Sequence, residues 1–446
     1  MDFTDLIRGI IGMAFLIALA TLMSNNRRNI NWRLVGTGIG IQLTLGIFIL
    51  KGEQMATFFS PLGWPKELFR IISSFFVVIL DFTTEGAQFI FGDLALSPGM
   101  EGSMGHFFAF QVLPTIVFFA SITTILYHYG ILQAIVRGMA TAMRKLLGTS
   151  GAETLSVTAN IFIGQTESPL LIKPYIEKMT RSELLTVMTG GMATIAGGIM
   201  AAYIQMLGDA YAVANEVTLT VGRQLFAEQL LGASIMAAPA AIVIAKIIYP
   251  ETDTPATMGD VEIKVDKTDA NGIDAASSGA AEGLRLALNV GGMLLAFIAL
   301  LAMINSMFLW FGDTVGLERL FPGFQLTMQS LLGVIFAPLM FIIGVPWVDA
   351  VTAGSMLGTK IVLTEFIAYS DLSELIRLEA LTPKTIAMAT FALCGFANFA
   401  SIAIQIGGIG GLAPSRKSEL AEFGIRAVIA GTMANLMSAT IAGVLY

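Results

Sequence analysis

Three consecutive polar residues, Gln165, Thr166 and Glu167, are the residues in this sequence best placed to do chemistry. They stand between two apolar segments, Leu155–Ile163 and Leu170–Ile176, each under 10 residues long. An apolar helix needs ~20 residues to cross a bilayer, so neither segment can span it alone. We interpret the stretch as a re-entrant helical hairpin with a carboxylate at its tip. A carboxylate at membrane depth costs about 2.5–3.5 kcal/mol, which a bound substrate or ion would offset.

The composition indicates a protein of many membrane spans. Of 446 residues, 55% are hydrophobic and 13% are charged, and the mean hydropathy is +0.77. Soluble domains have about 25% charged residues. The net charge of -7 argues against a nucleic-acid partner. A single cysteine, Cys394, excludes a disulfide framework within the chain, and the two histidines, His106 and His128, form no metal-binding pair.

The apolar segments predict an all-α polytopic membrane protein with about eight transmembrane helices. The predicted spans are 6–23, 34–50, 107–129, 184–206, 226–248, 287–310, 385–411 and 424–445. Of two further stretches, Ile71–Leu80 is too short to span, and Leu331–Ile343 is broken by Pro338 and reads as interfacial. A hydrophilic stretch at 250–283 predicts a solvated linker. The Lys and Arg residues of the short loops predict that both termini lie outside the membrane.

The two halves of the chain repeat the same order of features. In the first half, Thr166-Glu167 precedes a Gly-rich helix at 190–198, and one further span follows. In the second half, Thr364-Glu365 interrupts an apolar stretch and precedes the small-residue segment 394–403. By the span count, the first hairpin enters from the inside and the second from the outside. Such inverted repeats are typical of transporters that bind substrate at the repeat interface near the bilayer midplane.

Further polar residues of both halves are candidates for binding. Glu365 could accept hydrogen bonds from the two hydroxyls of a sugar diol, and a salt bridge to Lys360 is the structural alternative. Asn398 and Ser401 are three residues apart and share one helix face, so they could present side chains to a ligand or bond a neighbouring helix.

Asn160 and Thr194 suggest an ion site. Asn160 precedes the hairpin tip, and Thr194 lies in the Gly-rich helix, which unwinds easily. Their oxygens, together with unwound backbone carbonyls, would form a neutral cage suited to sodium. A purely structural role is the alternative.

Several of these motifs resemble the concentrative nucleoside transporters, and the resemblance covers essentially the whole chain. It is carried by Gly164–Pro169, Thr364–Phe366, Cys394–Ile402 and Gly407–Gly410. It implies a homotrimer whose protomers combine a scaffold with a mobile transport domain. The expected units are scaffold helices with an interfacial helix (1–147), the first hairpin with two helices (148–249), a cytoplasmic linker with an interfacial helix near Ala280–Leu288 (250–285), a scaffold helix with an external interfacial helix (286–345), and the second hairpin with two helices (346–446).

The resemblance also implies roles for individual residues. The residues expected to face the nucleobase are Gln165, Thr166, Glu167 and Ile199. The residues expected to face the ribose are Glu365, Asn398, Ser401 and Phe396. Sodium would be held by the side chains of Asn160 and Thr194 and by the backbone carbonyls of Ile163 and Ile195. Thr194 stands where sodium-coupled members have Ser or Thr, and the Asn is one that proton-coupled bacterial members tend to lack.

We therefore predict a sodium-coupled importer of nucleosides, uridine-like pyrimidine nucleosides in particular, in the bacterial inner membrane. No cofactor is expected beyond the coupling ion. Proton coupling, with Glu167 or Glu365 titrating, is the alternative. A membrane-embedded enzyme is disfavoured because the sequence holds neither a His-rich metal motif nor a plausible Ser/His/Asp set, and a passive channel is a third class, which gradient-driven accumulation would separate from a transporter.

Overall fold

The computed structural model describes residues 3–258, 269–316 and 325–446, and these form helices and connecting turns with no β-strand among them. In chain order the helices are α1 Phe3–Leu22, α2 Trp32–Phe58, α3 Trp64–Phe91, α4 Phe108–Gln111, α5 Leu113–His128, α6 Ile131–Leu147, α7 Gly151–Ala159, α8 Lys173–Ile176, α9 Arg181–Ala193, α10 Gly197–Ala214, α11 Leu219–Ile248, α12 Gly272–Val315, α13 Met328–Ile342, α14 Trp347–Val362, α15 Glu365–Arg377, α16 Pro383–Leu393, α17 Phe399–Leu412 and α18 Lys417–Leu445. The all-α membrane fold is confirmed.

Seven stretches of the described residues are helical, long and apolar enough to cross a membrane. They are Phe3–Leu22, Trp32–Phe58, Phe108–His128, Arg181–Ala214, Leu219–Ile248, Gly272–Val315 and Pro414–Leu445. The remaining predicted span, 385–411, is divided into α16 and α17 by a break at 394–398. Residues 194–196 interrupt the fourth stretch in the same way, between α9 and α10.

The two arms of the first hairpin begin and finish at the same end of the helical fold. A capping box between Ser150 and Glu153 starts α7, and the chain turns back after Ala159. The Ser156 and Ser168 hydroxyls of the two arms lie 3.3 Å apart. At the base, the Ser150 hydroxyl donates to the Glu183 carboxylate of α9 at 2.5 Å. The segment between 151 and 180 is therefore re-entrant.

The second hairpin is built from α14 and α15, which are separated by Leu363 and Thr364. Asp349, in the first turn of α14, accepts hydrogen bonds from the Thr382 and Thr385 hydroxyls, both at 2.6 Å. These two threonines stand at the start of α16, so the chain has returned to the end from which α14 departed.

The two hairpins open at opposite ends of α18. Arg416, which precedes α18, donates to the Met179 carbonyl beside the base of the first hairpin at 2.8 Å. Gly443, near the end of α18, packs against Met388 in the second turn of α16, close to the base of the second hairpin. α18 has 29 residues, which at 1.5 Å each is about 44 Å. This geometry is that of an inverted repeat.

The structure differs from the prediction at both of the further stretches. Ile71–Leu80, predicted to be too short to span, lies within α3, a helix of 28 residues. Leu331–Ile343, predicted to be broken by Pro338, forms α13, which continues through that proline and turns by 120° into α14.

The linker region also differs from the prediction. α12 begins at Gly272 and continues for 44 residues, so Ala280–Leu288 is not a separate interfacial helix, and the expected boundary at residue 285 falls inside α12. Residues 259–268 of the predicted linker lie outside the described residues.

Candidate functional site

A cavity of about 210 Å³ lies where both hairpin tips and both helix breaks meet. All residues predicted to contact the nucleobase or the ribose line it: Gln165, Thr166, Glu167, Ile199, Glu365, Phe396, Asn398 and Ser401. They come from positions up to 236 residues apart in the chain, as the pair Gln165 and Ser401 shows. The inverted repeat therefore assembles one site from both halves.

The helix breaks bring backbone close to backbone beside this cavity. Gly395 has a φ of +127°, and a Cβ there would lie 2.7 Å from the Ala193 carbonyl oxygen at the end of α9. Only glycine adopts this backbone conformation readily. Gly395 thus allows the break in the second repeat to touch the break in the first.

Thr166 and Glu167 line the cavity from the tip of the first hairpin. Both are exposed, whereas Gln165 is buried. The backbone N–H groups of Glu167 and Ser168 both donate to the Gly164 carbonyl, at 3.1 and 3.0 Å, and this turn points the tip into the cavity.

Gln165 joins the two repeats through its side chain. Its Nε2 donates to Ser401 Oγ at 3.2 Å, and its Oε1 accepts from Gln405 Nε2 at 3.0 Å. Gln405 in turn donates to the Met188 carbonyl at 3.0 Å. The sequence reasoning missed Gln405, although it lies four residues after Ser401 and so on the same face of α17.

Glu365 is held in one orientation by two donors. Its Oε1 accepts from the Tyr203 hydroxyl at 2.9 Å and its Oε2 from Asn398 Nδ2 at 2.8 Å. Asn398 also caps α17, because its Oδ1 accepts from the Ser401 N–H at 2.9 Å. Glu365 begins α15, where the positive end of the helix dipole favours a carboxylate. Lys360, the alternative partner of Glu365, instead donates to groups on α16 and α18.

Aromatic and apolar side chains complete the walls. Phe366 lines the cavity and packs edge-on against Tyr203, with ring centroids 5.0 Å apart. Tyr203 was not predicted, although it lies one helical turn beyond Ile199. The opposite wall comes from α12, through Leu286, Val290, Met293 and Leu294. Mostly apolar walls with a few convergent polar groups are typical of small-molecule sites.

The four predicted sodium ligands lie beside the cavity and outside its lining. Asn160, at the end of α7, is 2% exposed, and its Oδ1 has no hydrogen-bond partner among the described residues. Thr194, also buried, ends α9 and donates its hydroxyl to the Gly190 carbonyl, which leaves its oxygen lone pairs free.

These two segments are joined by one backbone hydrogen bond, from the Gly197 N–H to the Phe162 carbonyl at 3.0 Å. Ile163 and Ile195 are buried next to this junction. An amide oxygen that has no partner among the described residues, next to two helix breaks, is a ligand set that fits a small monovalent cation.

Family models of known proteins match three parts of the chain. "Na+ dependent nucleoside transporter N-terminus" matches residues 11–94, "Nucleoside recognition" matches 109–210, and "Na+ dependent nucleoside transporter C-terminus" matches 229–443. Together they cover most of both repeats.

Individual relatives are similar over nearly their full length. An uncharacterized transporter, YutK of Bacillus subtilis, is 44% identical over 98% of both chains. Nucleoside permease NupC of Helicobacter pylori is 40% identical over 97% of this chain and 96% of its own.

Solved structures of the transporter CNTnw share the fold. Its inward-facing substrate-bound state has a TM-score of 0.84 at 41% identity and covers 99% of each chain. An outward-facing variant of it has a TM-score of 0.83 at 39% identity and covers 100% of this chain and 98% of its own. The family consists of transporters, not enzymes, and works by alternating access to the two sides of the membrane. This chain belongs to the concentrative nucleoside transporter family.

Proposed function

We propose that the protein is a sodium-coupled symporter that imports nucleosides, with uridine-like pyrimidine nucleosides as its preferred substrates. The observation that carries the proposal is the cavity between the hairpin tips. There Gln165 lies on one side, and the carboxylate of Glu365, fixed by two donors, lies on the other.

The polar groups of the cavity are suited to the two halves of a nucleoside. Gln165 offers an amide with donors and an acceptor in one plane, as the edge of a heterocyclic base requires. Thr166 and Glu167 follow it in the chain and also line the cavity, and Ile199 adds an apolar contact. A base bound here would replace the contact between Gln165 and Ser401.

The ribose would lie towards the second repeat. The Glu365 carboxylate accepts from Tyr203 and Asn398 and retains lone pairs for sugar hydroxyls. Ser401 lies one helical turn from Asn398, and Phe396 supplies an apolar surface beside them. Each hydroxyl bonded to this carboxylate would contribute about 1.5–3 kcal/mol, since the acceptor is charged.

Sodium would be bound by the side chains of Asn160 and Thr194 and by the carbonyls of Ile163 and Ile195. The unpartnered Oδ1 of Asn160 supports this assignment. Gln165 follows Ile163 by two residues, so an ion that orders the tip also orders a substrate-binding side chain. Coupling of this kind is typically about 1–3 kcal/mol and acts in both directions.

We further propose how the protein is organised in the membrane. The hairpins with α9, α10, α11, α16, α17 and α18 form the moving unit, and the remaining helices include the scaffold of a homotrimer. Both termini face the outside of a bacterial inner membrane. The Lys and Arg distribution of the short loops supports this orientation.

The test is uridine uptake into proteoliposomes under an inward sodium gradient, an inward proton gradient, both, or neither. We expect accumulation above the external concentration only when the sodium gradient is present. Uptake that ignores sodium and follows the proton gradient would establish the proton-coupled alternative. Competition by cytidine, adenosine and guanosine in the same assay tests the pyrimidine preference.

A further inference from the structure

The second repeat contains a fully buried ammonium group that the proposed transport cycle does not use. Lys360, in the last turn of α14, has no exposed surface. Its Nζ donates to the Ala392 carbonyl at 3.0 Å and to Asn435 Oδ1 at 2.9 Å. Ala392 lies in the last turn of α16, where helix carbonyls lack intrahelical donors and the dipole favours a cation. Two acceptors, one of them at the carboxyl end of a helix, therefore face the ammonium.

This site corresponds to the proposed sodium site of the first repeat. In the first repeat, Asn160 follows the first arm of its hairpin, and that arm packs through Val157 against Gly190 near the end of α9, the helix that breaks at Thr194. In the second repeat, Lys360 lies in the last turn of the first arm of its hairpin and contacts Ala392 at the end of α16, which breaks at Cys394. The same juxtaposition of hairpin arm and interrupted helix thus recurs in both repeats.

One side chain connects the two positions. Asn435 of α18 has no exposed surface, and while its Oδ1 accepts from Lys360, its Nδ2 donates to the Ala193 carbonyl at 2.7 Å. Ala193 is the last residue of α9 and directly precedes Thr194. Two hydrogen bonds therefore join the ammonium of the second repeat to a neighbour of the proposed sodium ligands in the first.

We propose that Lys360 is a tethered cation that fills in the second repeat the position that a mobile cation takes in the first, and that Asn435 makes the two positions depend on each other. The inference rests on the proposed sodium site. Its consequence is that one mobile cation is needed for each nucleoside, because the second position is permanently occupied. Lys360 acts by positioning Glu365 and does not contact the substrate. Glu365, the first residue of α15, follows the last residue of α14 by only three positions.

The experiment measures equilibrium binding of uridine to the purified full-length protein over a sodium series, with choline as the replacement ion. Lys360→Ala vacates the second position, and Lys384→Met, which removes a partly buried lysine paired with Asp5, is the matched control. We expect Lys360→Ala to bind uridine at least about tenfold more weakly at low sodium, the factor corresponding to loss of one charge-assisted hydrogen bond. Its sodium dependence should be steeper than that of the wild type, and propylammonium should restore binding.

Two results would overturn the inference. One is a Lys360→Ala protein with the sodium midpoint, steepness and uridine affinity of the wild type. The other is a folded variant whose binding is lost and returns with neither high sodium nor propylammonium. Wild-type binding that ignores sodium would refute the proposed sodium coupling instead, and the propylammonium result would still test Lys360.

A second variant covers the case in which Lys360→Ala does not fold. Asn435→Asp keeps the acceptor for Lys360 but loses the donor to Ala193. We expect its sodium midpoint to rise at least about fivefold, within the usual range of coupling between sites. An unchanged sodium midpoint would show that the two positions are independent and would overturn the proposed link.

Discussion

Replacing Glu365 by Gln tests the ribose half of the site without changing the shape of the side chain. The carboxylate accepts from Tyr203 at 2.9 Å and from Asn398 at 2.8 Å. A Gln amide has one acceptor and one donor end, so only one of these contacts can persist unchanged. If the NH2 group faces Asn398, two donors meet. Asn398 cannot simply rotate, because its Oδ1 caps α17 by accepting from the Ser401 N–H.

The magnitude follows from the contacts that change. Rotation of Asn398 would sacrifice the cap, worth about 0.5–2 kcal/mol. Turning the NH2 group to the buried Tyr203 hydroxyl would force that hydroxyl to accept and leave its own proton without a partner, at about 1–3 kcal/mol. A sugar hydroxyl would also lose a charged acceptor, worth about 1.5–3 kcal/mol. That last loss alone weakens uridine binding by about 10- to 150-fold.

The assay compares uridine with 3′-deoxyuridine in competition binding to the wild type and to Glu365→Gln. The wild type should prefer uridine, and the variant should lose most of that preference. Glu374→Gln, on the exposed face of the same helix, is the matched control and should behave as the wild type. A Glu365→Gln protein that binds uridine with wild-type affinity and still rejects 3′-deoxyuridine would remove Glu365 from the ribose site.

The structure predicts the outcomes of three further substitutions. Asn160→Leu should raise the sodium concentration for half-maximal uptake at least about tenfold, since it removes the unpartnered oxygen; an unchanged sodium dependence would place the ion elsewhere. Arg223→Met leaves the buried carboxylate of Asp209, now paired at 2.6 Å, without its partner. We expect the free energy of unfolding to fall by about 3–5 kcal/mol, seen as a lower melting temperature. An unchanged melting temperature would contradict this expectation. Gly395→Ala should reduce folded yield and uptake, because its Cβ would lie 2.7 Å from the Ala193 carbonyl oxygen; full activity would show that the helix break can shift.

The polar residues of the site were predictable because they interrupt apolar segments. Gln165, Glu365 and Asn398 all stand at breaks between helices, and such interruptions are visible in a single sequence. The partners that orient them were not predicted. Tyr203 and Gln405 lie inside uninterrupted helices, one turn beyond Ile199 and Ser401. A search of the same helix face at i+4 from each candidate would have found both.

The extent of α3 could not be predicted, because its charges are compensated by residues far along the chain. Lys66 pairs with Glu228, and Asp81 lies 3.2 Å from the Arg223 guanidinium on α11. A hydropathy average is lowered by these charges and therefore ends the predicted apolar segment early. Paired ions are nevertheless tolerated where lone ions are not. Only the tertiary contacts show that Ile71–Leu80 belongs to a longer helix.

The two hairpin bases constrain how alternating access can occur in this chain. Ser150 at the base of the first hairpin donates to Glu183, and Asp349 at the base of the second accepts from Thr382 and Thr385. Each contact joins a hairpin to the first turn of the helix that follows it. A hairpin that swung open alone would break buried, charge-assisted hydrogen bonds of about 1.5–3 kcal/mol each. We therefore expect each hairpin to move together with its following helix, so that the cavity travels with the polar groups of both repeats still converging on it.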